Sequence, residues 1–463
     1  MKIVILGAGR VGASVAESLV SEQNDITVID TDPVRLAELQ DRLDLRTVVG
    51  NAAQPSTLRE AGADDADMVI ATTQSDETNL VACHLAARVF NVPTRIARVR
   101  AADFQDHPEL VGEGAFSVDH LIVPEKTVTD YVAKLIEFPE ALQVLEFAGG
   151  RVSLIAVRAY AGGQLVQRPI REIRSHIPQV DSRIVAIFRG ETTIYPDGDT
   201  MILPGDEVFF LAASEHIRSV MTELRKMDSP VRRVMLAGGG RIGLRLAQRL
   251  AGHLDVRIIE PDIRRCEYLA SQLPSGTLVL NGDATDEDLL EEESVGEMDL
   301  FCALTSDDED NIMSSLLAKK MGARRVIALI NRRAYADLME GGRIDIAIVP
   351  AQATIGELLA HVRRGDVAAV HSLRRGAAEA LEAIAHGDAK SSKVVGRRIE
   401  QLDLPPGTTI GAIVRERGAG RADVIIAHHD TVIESEDHVI VFVANKRMVP
   451  RVEKLFQVGV GFF

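Results

Sequence analysis

The sequence predicts an α/β chain with two doubly wound parallel-sheet domains of Rossmann type, each followed by a small β-rich α+β domain. Three observations predict it. The chain has 463 residues, enough for several domains. The segment IVILGAGRVG at 3–12 returns as VMLAGGGRIG at 234–243, an offset of 231. Behind each copy, strand-type runs alternate with helical stretches, the rhythm of βαβ units.

Composition narrows the function classes. Hydrophobic residues make up 46% and charged residues 26%, values that fill globular cores and exclude disorder or collagen-like repetition. There are 52 Lys and Arg against 68 Asp and Glu, a net charge of −16, which suits a phosphate backbone poorly. No nucleic-acid partner is expected. Residues 1–230 hold 22 basic against 34 acidic residues and the remainder 30 against 34, so the acidity sits mainly in the first half. Cys83, Cys266 and Cys302 are far apart and have no zinc-ligand spacing, as expected of reduced, buried thiols in a reducing compartment. The apolar run at the start is too short for a signal segment and runs into glycines, so it reads as a first strand. Nowhere do about 18 apolar residues run together. A soluble, cytoplasmic chain is expected, whatever it docks onto.

The elements follow in order. First-half strands are expected near 2–6, 26–30, 46–49, 68–72 and 94–99, with helices between them. ITVID ends in Asp30 and its counterpart VRIIE in Glu260. VVGNA at 48–52 matches LNGDA at 280–284, and ATTQSDETNL at 71–80 matches ALTSDDEDNI at 303–312, both at offset 232. Each block closes on IVP, at Ile122-Val123-Pro124 and Ile348-Val349-Pro350, and a helical stretch follows. Then VSLIAVRA, RIVAIFRG and EVFFLAA, separated by Gly162-Gly163, Pro196-Asp197-Gly198 and Leu203-Pro204-Gly205-Asp206, predict a small module of hairpins. TTIGAIVRE, ADVIIAHHDTVI and HVIVFVA predict its second copy. Met227-Asp228-Ser229-Pro230 marks the junction of the halves. The domains are expected at 1–124, 125–228, 229–350 and 351–463.

A glycine triplet alone is weak, but here its setting is specific. The first glycine permits a tight turn out of the strand, the second lets backbone approach a pyrophosphate, and the third lets helix and strand pack closely. The helix N-terminus then faces the anion. Gly7, Gly9 and Gly12, with Ala8, Arg10 and Val11 between and beside them, fit this pattern. So do Gly238, Gly240 and Gly243, with Gly239, Arg241 and Ile242. Asp30 follows Gly7 by 23 residues and Glu260 follows Gly238 by 22, near the roughly 20 expected of a carboxylate on ribose hydroxyls. A carboxylate favours a free 2′-hydroxyl over a 2′-phosphate, hence NAD over NADP; ATP and ADP present the same ribose. Gly50-Asn51-Ala52 and Thr72-Thr73-Gln74-Ser75 end the third and fourth strands, at the sheet edge where adenine and ribose would lie. Arg98 and Arg100, on the fifth strand, could reach phosphates. The second copy has Leu329 and Asn331 there, and Asp283 in place of Asn51. The two sites are therefore expected to be unequal, with the first binding dinucleotide more tightly.

These motifs resemble the regulator-of-potassium-conductance (RCK, or KTN) family, over nearly the whole chain. The doubled arrangement, with SDETN after the fourth strand and an IVP-bounded helix, is similar to its members that serve as peripheral subunits of bacterial potassium uptake. The resemblance implies a non-catalytic gating subunit on the cytoplasmic face of a membrane-embedded K⁺ translocating subunit. It implies NAD or NADH as ligand, with ATP or ADP as further adenine nucleotides, and ligand sensing by the small modules. The family's contacts carry over to Gly7 to Val11, Asp30, Thr73, Gln74 and Arg98, and to Gly238 to Ile242, Glu260 and Thr305. Family members form rings, which for a doubled chain implies a homotetramer.

Two other classes compete. An NAD-dependent oxidoreductase needs a proton donor beside the nicotinamide; Tyr131 and Lys134 are three apart but read as an exposed helical pair. A scaffold with dead sites is the third class. No metal is expected. His428-His429-Asp430 with Asp437-His438 flanks a hairpin-like segment without ligand spacing. The acidic run 286–293 reads as a solvated helix beginning after Thr285, and the pairs Arg363-Arg364 and Arg374-Arg375 as solvent-exposed.

Overall fold

The computed structural model describes all residues except 21–23, 113, 191, 227–228, 340–341, 363–366, 374–377, 419–420 and 459–463, and except the side chains of 102, 103 and 108. Met227 and Asp228 of the expected junction, and the pairs Arg363-Arg364 and Arg374-Arg375, lie outside the described residues.

The first parallel sheet comprises β1 (Lys2–Leu6), β2 (Asp25–Asp30), β3 (Arg46–Val49), β4 (Met68–Ala71), β5 (Thr94–Arg98) and β6 (His120–Ile122), in the order β3-β2-β1-β4-β5-β6. β1 lies between β2 and β4, so the strand order reverses where the glycine turn leaves β1. The continuous apolar runs of β1 and β4 are buried because both faces of the sheet are covered. β6 has three residues, too few to show a period in the sequence. β5 ends at Arg98, so Arg100 lies just beyond the strand rather than on it.

A five-stranded antiparallel sheet follows: β7 (Ala141–Phe147), β8 (Val152–Arg158), β9 (Ser182–Arg189), β10 (Thr192–Ile194) and β11 (Glu207–Ala213), in the order β10-β9-β11-β8-β7. The second half repeats both sheets. β12 (Arg233–Ala237), β13 (Asp255–Glu260), β14 (Leu278–Asn281), β15 (Leu300–Ala303), β16 (Val326–Leu329) and β17 (Ile346–Ile348) are ordered β14-β13-β12-β15-β16-β17. β18 (Val367–Leu373), β19 (Ala378–Ala385), β20 (Thr408–Glu416), β21 (Ala422–Ile426) and β22 (Asp437–Val443) are ordered β18-β19-β22-β20-β21. The fold class read from the sequence is thus the one observed.

Two expectations need correction. ADVIIAHHDTVI is a strand only to Ile426, because His428 N–H binds Thr431 Oγ1 at 2.9 Å and Thr431 N–H returns to the His428 carbonyl, closing a turn. Tyr131 and Lys134 are not an exposed pair. Tyr131 packs between two cores, where burial pushes its phenol up to about 12, and Lys134 is paired with Glu146 at 2.8 Å and Glu137 at 3.2 Å.

Each small sheet anchors an arginine on a buried aspartate at the same place. Arg189 makes two 2.8 Å bonds to Asp206, and Arg415 bonds Asp437 at 2.7 and 2.8 Å. Asp206 and Asp437 are 1% and 0% exposed and also accept the N–H of Leu203 and Glu434, so each ties a turn to a strand. Removing Asp437 would leave Arg415 with Glu434 and the Val432 carbonyl but would leave the Glu434 N–H without its acceptor. Asp437→Ala is expected to destabilise the chain by about 1–3 kcal/mol, read as a lower urea midpoint at unchanged slope.

The linking helices are exchanged between the halves. The helix Pro124–Glu137 places Val128, Val132 and Leu135 in a core shared with the first small sheet and with Leu246 and Ala247 of the second Rossmann unit. The helix Pro350–Val362 places Leu358, Leu359 and Val362 in a core with Val15 and Leu19 of the first unit and the second small sheet. Polar contacts follow the same crossing. Arg249 pairs with Asp130, and His361 stacks on His120 of β6 with ring centroids 3.5 Å apart; burial and that neighbour hold His361 down at about 4.

The small sheets also pack on each other, around Phe147, Phe209 and Phe442. Gly411 permits the approach, since a Cβ there would sit 2.1 Å from Leu211 Cδ1. Gly411→Val is expected to cost about 1–3 kcal/mol through overpacking, measurable as a lower melting temperature.

Candidate functional site

Both glycine turns have the geometry that their sequence requires. Gly7 and Gly238 adopt φ of +101° and +104°, a conformation that L side chains rarely adopt. A Cβ on Gly12 would lie 1.8 Å from the Gly7 carbonyl oxygen, and one on Gly243 would lie 2.1 Å from that of Gly238. The first and third glycines are thus required by backbone geometry and packing. The second is not: Cβ atoms on Gly9 and Gly240 would meet no atom of the described residues within 4 Å, and neither has positive φ. Space is held open there, at the start of the helices Arg10–Val20 and Arg241–Leu250. Gly240, the N-cap of the second, offers no side chain to its first N–H groups.

The acids close the turns from the neighbouring strand. Asp30 accepts the N–H of Ala8 at 2.6 Å and of Asp32 at 2.9 Å; Glu260 accepts those of Gly239 at 2.8 Å and Asp262 at 3.1 Å. Each oxygen retains a lone pair for a hydroxyl. Gly239 is held by its surroundings, since a Cβ would lie 2.3 Å from Leu269 Cδ1.

The fourth strand ends are built identically. Asn79 Oδ1 accepts the Thr73 N–H at 2.9 Å and hydroxyl at 2.7 Å, while its amide donates to the carbonyls of Thr73 and Arg98. Asn311 does the same for Thr305 and Leu329. Asp76 accepts the N–H of Arg100 and Ala101, and Asp308 those of Asn331 and Arg332. These four buried residues lock the fourth strand end to the fifth. The repeated SDETN motif carried that signal, although its Asp and Asn were not read from sequence as structural residues.

Both units open onto one cavity of about 1510 Å³. Gly9, Arg10, Val11, Gln74 and Arg98 line it from the first unit, and Gly238, Gly240, Arg241, Ile242, Glu260 and Thr305 from the second. Asp30 and Thr73 stand behind the first wall through their bonds to the turn and to Asn79. Asn51, Ala52 and Asp283 are not on the wall. Asn51 and Asp283 instead close their own turns, accepting the N–H of Ala53 and Thr285. The cavity also brings together Arg98 and Arg100 of the first unit. Burial, and then the charges of Arg100 and Arg241, lower the Arg98 guanidinium, while Glu125 and Asp76 oppose this. Arg98 Nη2 lies 3.7 Å from Glu125 Oε1 in the first turn of the linking helix. The Nε atoms of Arg98 and Arg100 are buried without a hydrogen bond among the described residues, Arg100 Nε facing Asp76 Oδ1 at 3.6 Å. Arg241 thus brings a charge from the second unit to the first site.

Among the described residues no group of three or more His, Cys, Asp or Glu side chains is placed to hold a metal ion, and no helix is long and apolar enough to cross a membrane. His428 contacts Arg174 and Asp181, and His438 bonds Glu382 at 2.6 Å. All three cysteines are free and buried; burial pushes Cys83 and Cys302 to about 12.

Two Rossmann units with exchanged linking helices and two small β modules define a tandem RCK-type chain. Solved RCK structures share the fold: the RCK domain of GsuK aligns with TM-score 0.60 over 98% of this chain and 94% of that one at 15% identity. The GsuK channel bound to NAD aligns with TM-score 0.60 over 98% and 78% at 16% identity. Residues 3–124 and 234–350 match the TrkA-N domain, and 154–225 and 389–457 the TrkA-C domain. The Trk system potassium uptake protein TrkA of Halomonas elongata is 57% identical over 463 residues, covering 100% of both chains. That of Vibrio alginolyticus is 55% identical over 99% of each. The chain belongs to the TrkA family of Trk-system potassium uptake proteins, which are named for a transport system and not as enzymes.

Proposed function

We propose that the chain is a cytoplasmic, peripheral regulatory subunit that binds adenine nucleotides and thereby gates a membrane-embedded potassium translocating subunit. The observation that carries this reading is the open space at Gly9 and Gly240. No packing demands glycine there, so a ligand that needs close backbone approach does. NAD or NADH, and ATP or ADP, fit the turn and acid. The backbone from Gly7 to Gly12 and from Gly238 to Gly243 would hold the phosphates at the helix N-termini. Asp30 and Glu260 would accept ribose hydroxyls, Arg98 would meet phosphate, and Gln74, Thr73 and Thr305 would border the nucleoside. Asn51, Ala52 and Asp283 would act at a distance, by shaping the third-strand turns. The NAD-bound neighbour and the family name support the ligand and the partner.

The exchanged helices supply the route from binding to gating. A ligand that draws Arg98 towards phosphate weakens its hold on Glu125, and Glu125 begins the helix packed on the second unit. Ligands with different affinities for the two arrangements shift their populations. A ring of four chains would pass the shift to the membrane subunit.

Asp30→Ala is expected to raise the dissociation constant for NAD about tenfold or more by calorimetry, with assembly on the membrane subunit retained. Unaltered nucleotide-dependent potassium flux in that variant would contradict the reading. An oxidoreductase receives no support from the site: Tyr131 and Lys134 are engaged away from the glycine-turn cavity, on another face of the linking helix.

A further inference from the structure

The two small modules end in equivalent helices with different surfaces. The helix Val449–Phe456 and the one-turn segment Lys446–Met448 before it repeat Ile217–Leu224 and Ser214–His216 at a constant offset of 232. Val449, Val452 and Phe456 turn into the core that holds the second linking helix. Arg447, Arg451 and Lys454, spaced by four and three, lie together on the opposite, exposed face. The first module has Glu215, Ser219 and Thr222 at these places. The loop that abuts the helix is basic as well. Lys393 Nζ donates to the Lys454 carbonyl at 3.1 Å, and Lys390 is exposed on the same loop. The first module's loop, 159–168, carries Arg168 as its one basic residue.

Folding does not account for this row. Like charges at spacings of three and four repel along a helix. Arg447 and Arg451 also stand at its N-terminal end, where the helix dipole disfavours cations and favours an acid such as Glu215. Lys454, in the last turn, is the one cation of the three that the dipole favours. Among the described residues none of the three has an ion pair. The acids nearby are engaged or buried: Asp388 accepts the N–H groups of Lys390 and Ser391, Glu436 bonds His386, and Glu453 is 8% exposed. The face is thus positive on a chain whose net charge is −16. Its three helical cations do not line the glycine-turn cavity, and an open helix face encloses no small ligand.

We propose that this face of the second small module docks on the anionic lipid headgroups of the membrane. An open row of unpaired cations fits an occupant that presents negative charge over a plane, and clusters of about four to eight Lys and Arg suffice to bind anionic lipid. Lys390, Lys393, Arg447, Arg451 and Lys454 form such a cluster. The loops of a membrane subunit match it less well, because cytoplasmic loops are themselves enriched in Lys and Arg. The acidity of the rest of the chain is screened beyond a Debye length of about 8 Å at physiological salt. The inference rests on the peripheral reading above and adds to it a second anchor, in which the chain meets the bilayer as well as its membrane subunit.

Vesicle binding by the whole chain, without the membrane subunit, tests it. Flotation with vesicles of mixed phosphatidylglycerol and phosphatidylcholine is compared with phosphatidylcholine alone, at two salt concentrations. The unaltered chain is expected to bind the anionic vesicles at least about tenfold more strongly, and less at higher salt. Arg447→Glu, Arg451→Ser and Lys454→Thr together install the first module's residues. That chain should keep its melting temperature and lose anionic-vesicle binding by about tenfold or more. A control with the same charge change elsewhere, Arg168→Glu, Arg59→Ser and Lys320→Thr, should bind within about twofold of the unaltered chain. No binding to anionic vesicles, equal binding to both kinds, or equal loss in the two triple variants overturns the proposal. So does retention on polyglutamate in place of anionic vesicles, which would assign the face to an acidic protein. If vesicle binding fails while the chain still assembles on the membrane subunit and controls its flux, the lipid contact alone falls. Loss of assembly and of flux control in the unaltered chain contradicts the peripheral reading itself.

Discussion

Gly9→Val and Gly12→Val, three residues apart, are expected to fail in different ways. At Gly9 a side chain enters empty space at the helix start, so the fold should keep its melting temperature within about 2 °C of the parent, while nucleotide affinity at the first site falls about a hundredfold or more. At Gly12 even a Cβ would lie 1.8 Å from the Gly7 carbonyl oxygen, and the neighbouring Thr72 Oγ1 would be at 2.9 Å. Neither backbone turn nor helix can retreat without opening the core around Val15 and Leu19, which also holds the second linking helix. Gly12→Val should therefore cost more than about 3 kcal/mol. Thermal unfolding and calorimetry separate the two outcomes. Normal binding by Gly9→Val would mean that the open space at the turn does not serve a phosphate.

Arg98→Leu carries the second large effect. Arg98 and Glu125 form a loose pair at 3.7 Å with side chains 17% and 14% exposed, and the second unit has Leu329 and Ala351 in their places. Arg98→Leu alone leaves Glu125 without its cation, which lowers stability. Arg98→Leu with Glu125→Ala reproduces the second unit's apolar pair and should recover the melting temperature. Neither variant should recover nucleotide affinity, which is expected to fall about tenfold or more with the lost charge-assisted bond to phosphate. An unchanged dissociation constant in the double variant would remove Arg98 from the site.

The parts of the molecule written in short, repeated motifs were legible before the structure. GAGRVG and GGGRIG, with Asp30 and Glu260 at the right distance, located both turns and both acids, because the turn itself restricts which residues can stand there. The small domains were less legible. AEALEAIA at 378–385 has helix-favouring composition, yet it is β19, paired on one side with β18 and on the other with β22. Its Glu379 and Glu382 are 1% and 4% exposed, and Glu382 is satisfied by the Ala148 N–H and by His438. Those partners come from distant parts of the chain, and tertiary pairing overrode local preference. The exchange of the linking helices was not legible at all. Both helices are amphipathic, and amphipathicity says that a face is buried without saying against which copy. Glu125 was missed for a related reason: only its 3.7 Å approach to Arg98 gives it a role.

The most direct test is potassium flux through the membrane subunit, reconstituted in vesicles with this chain and measured with and without NAD, NADH, ATP or ADP. Control by nucleotide predicts that flux changes with at least one of them when the chain is unaltered, and that the folded, assembled Gly9→Val chain loses the first site's response. Flux indifferent to every nucleotide with the unaltered chain, or an undiminished response with Gly9→Val, would contradict it.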